Sequence, residues 1–367
     1  MDNNVICEGC GSILQSEDEK EIGYIPKSSL QKKNLLCKRC FQLRHYNKHE
    51  TVPLDSDDFL DLVSTIRNTD SLIIHLIDIF DVDGTLLKSL PRIVGTNPII
   101  LVGNKVDLLP KSTNQRKVKN WLFSQAKEAG INVVDVFLIS SMKSYNIEEL
   151  AMEMETRREN KDIYVVGVTN VGKSTFINQF IKRSTGIKEA ITTSYFPGTT
   201  LGFIEIPLDQ NSALIDTPGI VNRHQMAHYV SKNDLKIITP KKEIKPRNYQ
   251  LHSGQTLFIG GLARLDFIKG EKQTFVCFFA NEVPIHRTKL ENADALYERQ
   301  VSELLSPPDQ ETLSILPPLV KRAYRLNESY TDVVFPGLGW VTILDSDVTV
   351  EAYSPKGVNI SIRKSFN

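Results

Sequence analysis

The stretch that decides the fold reads Ile163-Tyr164-Val165-Val166-Gly167-Val168-Thr169-Asn170-Val171-Gly172-Lys173-Ser174-Thr175, an apolar run leading into glycines, a lysine and a hydroxyl residue. Gly167 to Ser174 fits the P-loop pattern, and its setting is the right one, with the strand-like Ile163 to Val166 before it and the helical Thr175 to Lys182 after it. Glycines let the backbone curl so that successive amides face phosphate oxygens, while the following helix offers its positive end. Lys173 then reaches the β and γ phosphates of a nucleotide, and Ser174 ligates Mg²⁺. Gly167, Asn170, Val171, Gly172 and Thr175 complete the predicted phosphate-binding set.

Working outward, Asp216-Thr217-Pro218-Gly219 follows the strand-like Ala213-Leu214-Ile215. That places a carboxylate at a strand end, where it can hold Mg²⁺ through water, and lets Gly219 offer its amide to the γ-phosphate. Between these motifs lies Pro197-Gly198-Thr199-Thr200, where Thr199 or Thr200 could bind Mg²⁺ by its hydroxyl and sense the γ-phosphate with its backbone. Taken alone this tetrapeptide reads as a turn. Lys173, Ser174, Thr200, Asp216 and Gly219 are thus the candidate catalytic residues.

Towards the N-terminus, Asn104-Lys105-Val106-Asp107 follows the apolar Ile99 to Val102 and matches the NKxD element that reads guanine. Asp107 accepts hydrogen bonds from the guanine N1 and N2 groups, which adenine cannot supply, and a buried carboxylate left unpaired is costly enough to discriminate strongly. Lys105 is expected to lay its stem along the base plane, and Asn104 to tie the loop to the P-loop. Ser140-Ser141-Met142, continuing into Lys143 after Val133 to Ile139, resembles the SAK-like loop whose amide meets guanine O6; by itself it also reads as a strand-to-helix turn, and its position decides for the SAK-like loop. GTP and GDP are therefore the predicted ligands.

In an ordinary GTPase the P-loop comes first and the NKxD and SAK elements last. Here positions 104 and 140 precede 167, so the G domain is circularly permuted, a change tolerated where the original termini lay close together. The apolar runs Leu72 to Ile79, Pro98 to Gly103, Val133 to Ile139 and Ile163 to Val168, separated by helical stretches, predict an α/β domain with a mostly parallel sheet covered by helices on both faces. Beyond Gly219 come the strand-like Gln255 to Phe267 and Thr274 to Phe279, the pair Val348 to Tyr353 and Val358 to Arg363, and a helix candidate, Leu290 to Leu305. The expected division is a zinc finger over 1–52, a permuted G domain over 53–228 and an α+β domain over 229–367.

The 367 residues carry 44 basic and 44 acidic side chains, so no whole-molecule field drives the chain onto nucleic acid or a membrane, and such contacts must come from local patches. At 41% hydrophobic and 24% charged it has the composition of a globular protein, not of a disordered one. The absence of a long apolar run and of a targeting segment predicts a cytoplasmic protein without membrane contact. Four of its five cysteines form two pairs, Cys7 with Cys10 and Cys37 with Cys40, which can place four thiolates on a structural Zn²⁺; His45 or His49 could replace one ligand. Cys277 reads as a small buried hydrophobe. Around the second pair sit Lys38, Arg39, Phe41, Arg44, His45, Tyr46 and Lys48. A second basic stretch holds Lys232, Lys236, Lys241, Lys242, Lys245 and Arg247 against Asp234 and Glu243. Asp78, Asp81 and Asp83 read as strand-end and turn carboxylates rather than a metal site.

The rotated motif order, the N-terminal CxxC pairs and the β-rich tail together resemble the YqeH family of ribosome-assembly GTPases, over essentially the whole chain. The resemblance implies GTP hydrolysis and a role in small (30S) ribosomal subunit biogenesis, with rRNA and ribosomal proteins of that subunit or its precursor as partners. It also turns the cations and aromatics around Cys37 and Cys40 towards RNA contact, and makes the 229–367 domain a candidate RNA- or protein-binding module; a monomer is expected. Two positions depart from the Ras pattern. Ile220 stands where Ras-like enzymes carry the glutamine that orients attacking water. Asn170 occupies the position at which similar potassium-activated GTPases coordinate K⁺, which leaves a K⁺ ligand and a solvated loop amide both open. The rival to a GTP-hydrolysing switch is an RNA-binding scaffold that holds GTP with negligible turnover. A redox or nitric-oxide enzyme finds no cofactor motif.

Overall fold

The computed structural model describes residues 65–184 and 204–366, together with 5, 7, 13–18, 23–30 and 35–38. Cys10, Cys40, His45, His49, Thr199 and Thr200, and the run from 39 to 48, lie outside the described residues. The chain forms two compact units. One comprises Met1–Asp78, Thr85–Val106 and Lys119–Val221, the other Ile79–Gly84, Asp107–Val118 and Asn222–Asn367.

The first unit is built on a six-stranded sheet of β1 (Ser71–Asp78), β2 (Ile99–Asn104), β3 (Val133–Leu138), β4 (Asp162–Val166), β5 (Ile204–Pro207) and β6 (Ala213–Asp216). Spatial order is β3-β2-β1-β4-β6-β5, with every pair parallel except β5 against β6. Strands of a parallel sheet are covered on both faces and so carry unbroken apolar runs. β2 is buried along its whole length, as is β1 except at Asp78. The helices α1 (Leu90–Val94), α2 (Gln115–Glu128), α3 (Ile147–Arg158) and α4 (Lys173–Ser184) alternate with these strands. The strand before the P-loop, β4, lies between β1, which precedes it in sequence, and β6, which follows it. Rotating the sequence has moved the ends of the domain and left a central phosphate-binding strand in place.

Within the second unit two five-stranded antiparallel sheets face a common core. One has the order β16-β13-β14-β10-β7 and the other β11-β8-β9-β15-β12, from β7 (Arg247–Leu251), β8 (Gln255–Ile259), β9 (Ala263–Lys269), β10 (Gln273–Phe279), β11 (Ile285–Lys289), β12 (Leu319–Leu326), β13 (Thr331–Phe335), β14 (Gly339–Ile343), β15 (Val348–Pro355) and β16 (Ser361–Lys364). Alternate residues supply the core: Leu257 and Ile259, Leu265 and Phe267, Phe275, Cys277 and Phe279 on one stretch of chain, Val333 and Phe335, Val341 and Ile343, Val348 and Val350 on another. Cys277 belongs to it, and burial pushes its thiol up to about 12. The helices of this unit, α5 (Lys232–Ile238), α6 (Ala293–Gln300) and α7 (Gln310–Ile315), are short.

Three local expectations change. The run Gln255 to Phe267 is two strands, β8 and β9, folded back on each other, because Gly260 adopts φ +51° with its α-carbon against the Pro307 carbonyl and the chain turns there. Val348 to Tyr353 and Val358 to Arg363 do not pair with each other; β15 joins β9 and β12, whereas β16 joins β13 in the other sheet. The intervening Pro355 to Gly357 is thus a crossing between sheets. The helix expected over Leu290 to Leu305 is confined to Ala293–Gln300, since Val301 takes an extended backbone and Ser302 a left-handed one.

The short segment Ile79–Gly84 is integral to the second unit. Phe80 lies 5.6 Å from the Trp340 ring, which Phe278 stacks at 4.8 Å. Asp83 accepts from Ser361 Oγ at 2.7 Å and is ion-paired to Arg363, whose Nε also meets Asp332 at 3.1 Å. Asn222 and Gln225 both donate to the Gly84 carbonyl, at 2.8 Å each, and Gln225 reaches Asp81 at 2.7 Å. Asp332 is fully buried, and that burial raises its pKa against the opposing pull of Arg363. Removing one member of such a buried pair costs about 3–5 kcal/mol, mostly from the charge left without a partner.

Candidate nucleotide site

The P-loop leaves β4 at Gly167, whose position forbids a side chain: a Cβ there would stand 2.6 Å from the Leu76 carbonyl oxygen. Asn170 has φ +67°, a backbone that asparagine tolerates better than most residues, and Gly172 has φ +90°, where a Cβ would meet Asn104 Nδ2 at 2.5 Å. The helix α4 starts immediately at Lys173, with the Phe176 amide donating to the Gly172 carbonyl at 2.9 Å. The loop amides therefore stand ahead of a helix N-terminus, as phosphate binding requires.

Asn104, 1% exposed, joins three loops through one side-chain amide. Its Nδ2 donates to the Val171 carbonyl at 2.8 Å, and its Oδ1 accepts from the Ser141 amide at 2.9 Å and from Ser141 Oγ at 3.0 Å. Lys105, with φ +66°, donates through Nζ to the Asn170 carbonyl at 2.7 Å and pairs with Asp78 at 2.5 Å. Asp107 lies in the single 3-10 turn Val106–Leu108 that follows. Ser140 pairs with Tyr145 through both backbone groups, and its hydroxyl accepts from the Lys143 amide at 3.0 Å, closing a tight loop on which Met142 stands 75% exposed.

On the other side, Asp216 ends β6 and is 3.1 Å from Lys173 Nζ, which also donates to the Thr217 carbonyl. Both side chains are almost wholly buried. Ile220 fastens the segment to the P-loop by its backbone: its carbonyl accepts from the Thr169 amide at 2.9 Å and its amide donates to the Gly167 carbonyl at 3.2 Å. Gly219 sits so close that a Cβ would touch Thr169 Cγ2 at 3.1 Å. Ser174 and Asp216 are hard oxygen donors of the kind Mg²⁺ takes, so the residues present fit that ion. The cysteine pairs are described only in part, by Cys7 and Cys37. Both are buried, and the Cys37 amide donates to Cys7 Sγ at 3.1 Å, an arrangement that suits a thiolate ligand. Among the described residues no three Cys, His, Asp or Glu side chains are grouped to hold a metal.

His75 belongs to no motif of the sequence. It lies on β1 opposite Val166, wholly buried, with Nδ1 3.4 Å from the Val166 carbonyl and Nε2 accepting from the Leu87 amide at 3.2 Å. Both nitrogens are committed as a neutral ring. Burial lowers its pKa to about 4, only partly opposed by the bond to Val166. Asp78 is the strand-end carboxylate that its sequence position predicts, and it also holds Lys105; β1 and β2 run in parallel register with Asp78 beside Asn104, and that pairing is the signal for the contact.

These strands and loops define a P-loop GTPase domain of rotated order. A family model described as 50S ribosome-binding GTPase matches residues 162–254, and one described as YqeH-like, C-terminal, matches residues 272–366. The YqeH protein of Bacillus subtilis is 53% identical over 362 residues, covering 99% of each chain. The NO-associated protein 1 of Arabidopsis thaliana is 30% identical, over 92% of this chain and 69% of that one, and the human nitric oxide-associated protein 1 is 24% identical, over 98% and 74%. The chain belongs to the YqeH family of circularly permuted GTPases. It carries a GTPase domain that binds GTP and GDP and uses Mg²⁺, and no helix among its described residues is long and apolar enough to cross a membrane.

The depressed pKa of His75 links stability to pH. Between about 4 and 6.5 the unfolded chain binds a proton that the folded chain does not, so stability falls as pH drops through that window, by up to about 1.4 kcal/mol per unit. Urea unfolding of wild type and His75→Gln at a series of pH values should show this slope in the wild type and its loss in the variant; parallel curves would exclude His75 as its source.

Proposed function

We propose that this protein hydrolyses GTP and uses the bound nucleotide to switch its grip on a small ribosomal subunit precursor. One observation carries the GTP part: the Asn104 amide draws the base-reading NKxD element, the loop at Ser141 and the P-loop at Val171 together. In this reading Asp107 recognises guanine, Ser141 and Met142 present amides to its O6, and Lys173 with the amides from Gly167 to Thr175 holds the phosphates. Ser174, Asp216 and one of Thr199 and Thr200 would hold Mg²⁺, which supplies charge neutralisation at the β and γ oxygens. Gly219 offers its amide to the γ-phosphate as the phosphoryl group separates. The ribosomal part is supported by family membership; the description 50S ribosome-binding belongs to a broader GTPase family, and the small-subunit assignment rests on the YqeH resemblance. The division into 1–52, 53–228 and 229–367 and a cytoplasmic location belong to the same reading.

Sedimentation with purified subunits in GTP, in GDP and without nucleotide tests this function. The protein should travel with the small subunit in one nucleotide state at least about tenfold better than in another. Asp107→Asn should lose GTP affinity by roughly 10³-fold or more, as expected where a hydrogen-bonding site meets a group it cannot pair with, and should transfer the state dependence to xanthosine triphosphate. Equal sedimentation in all states, or retention by the large subunit alone, would defeat the switch or its assignment.

Ile220 cannot orient water, and its backbone is occupied with the P-loop. We infer that a K⁺ held partly by Asn170 adds positive charge where the γ-phosphoryl group separates. Turnover at matched ionic strength should be about tenfold or more faster in K⁺ than in Na⁺, and Asn170→Ala should remove the difference while sparing GTP binding. Equal wild-type rates would leave Asn170 a solvated amide.

The burial of Cys7 beside Cys37 supports a structural Zn²⁺ held by Cys7, Cys10, Cys37 and Cys40. Elemental analysis should find one zinc per chain, and a chelator should unfold the N-terminal module while nucleotide binding persists; protein free of zinc and iron would remove this assignment.

A further inference from the structure

The nucleotide site leaves unused the basic stretch Lys241-Lys242-Glu243-Ile244-Lys245, and the structure brings it against a second cationic segment. Within the second unit, the Ile244 amide donates to the Leu108 carbonyl at 2.9 Å, and the Glu243 carboxylate accepts from the Lys111 amide at 2.8 Å and lies 3.8 Å from Lys111 Nζ. Asn281 holds the stretch from behind, donating to the Glu243 carbonyl and accepting from the Lys245 amide, both at 2.9 Å. Ile244 is the apolar anchor, 1% exposed. Pro240 and Pro246 bracket the stretch and restrict its backbone. The result is a fixed ribbon.

Its charge is one-sided. Lys111, Arg116, Lys117, Lys241, Lys242 and Lys245 are all exposed, whereas residues 107–118 and 239–247 contain only two acids, Asp107 in the base-reading element and Glu243 bound to Lys111. In a chain of zero net charge this is a local excess, not the expression of a basic protein. No large hydrophobic side chain is exposed in either segment among the described residues, so the ribbon lacks the apolar residues by which a peripheral helix enters a bilayer. Lysines held at fixed positions without an apolar wedge suit a polyanion read along its backbone.

We propose that this ribbon binds the phosphate backbone of RNA, an inference that rests on the ribosome-assembly reading and gives it a contact surface outside the nucleotide site. The contact is sequence-independent, and it lies next in the chain to Asp107, in the same compact unit.

The test uses the full chain with a labelled, mixed-sequence single-stranded RNA of about 20 nucleotides. Each lost lysine–phosphate contact lowers the slope of log affinity against log salt by about 0.7. Lys241→Ala/Lys242→Ala/Lys245→Ala should therefore reduce the slope by about 2, so that the affinity lost between 50 and 200 mM salt shrinks by roughly 16-fold. The charge-matched control Arg67→Ala/Lys88→Ala/Arg92→Ala, on exposed positions of the first unit, should keep the wild-type slope. An unchanged slope in the ribbon variant, no RNA binding by the wild type, or binding to phosphatidylglycerol vesicles in place of RNA would each overturn the proposal. GTP affinity measured on the same proteins separates the two readings: its absence in the wild type sinks the GTPase, and a changed RNA slope with normal GTP affinity belongs to the ribbon.

Discussion

The three loops of the candidate nucleotide site are held together by the single amide of Asn104. Both of its ends are engaged away from solvent, the nitrogen donating to the Val171 carbonyl and the oxygen accepting twice from Ser141. A buried amide is tolerated only when satisfied, and this one is satisfied only when the base-reading element, the loop at Ser141 and the P-loop stand together. Gly172 is part of the same constraint, since any side chain there would displace the amide nitrogen. Lys105 repeats the logic one residue on, its ammonium held between Asp78 and the Asn170 carbonyl. Both residues leave the same strand end, so the NKxD element and the P-loop are fixed against each other at one place.

The motifs were legible because their chemistry is local. A P-loop needs glycines at fixed spacing, a base reader needs a carboxylate after a strand, and the apolar runs that became β1 to β4 differ from the observed strands by no more than two residues at either end. What could not be read lies in backbone pairing and in long-range packing. Ile220 looked like a missing glutamine, whereas its main chain bridges Thr169 and Gly167, a role any residue but proline could fill. His75 sits within an apolar strand pattern, and nothing in that pattern says that its two nitrogens will find a carbonyl and an amide. In the second unit alternation marks β15 and β16 as strands but does not say which sheet each joins.

The second unit shows how far packing can override sequence neighbourhood. Ile79–Gly84 follows a strand of the parallel sheet, yet Phe80 lies by Trp340 and Asp83 is bound to Arg363 and Ser361, all from the β-rich unit. An exposed ion pair would contribute little to such an attachment. This one is buried, with Asp332 fully enclosed behind the guanidinium, so its register is specified by the cost of any arrangement that leaves a carboxylate without its cation.

The placement of β4 between β1 and β6 has a consequence for the order in which the protein comes into being. A chain made from its N-terminus releases β1, β2 and β3 first, and these can pair with one another before the rest exists. The phosphate loop then arrives on a strand that adds to the waiting edge of β1, and β6 adds to it in turn. In the unrotated arrangement the phosphate loop is born first and waits for its base reader. Here the NKxD element is born first, and the P-loop and the Asp216–Gly219 segment are the last pieces of the site to arrive.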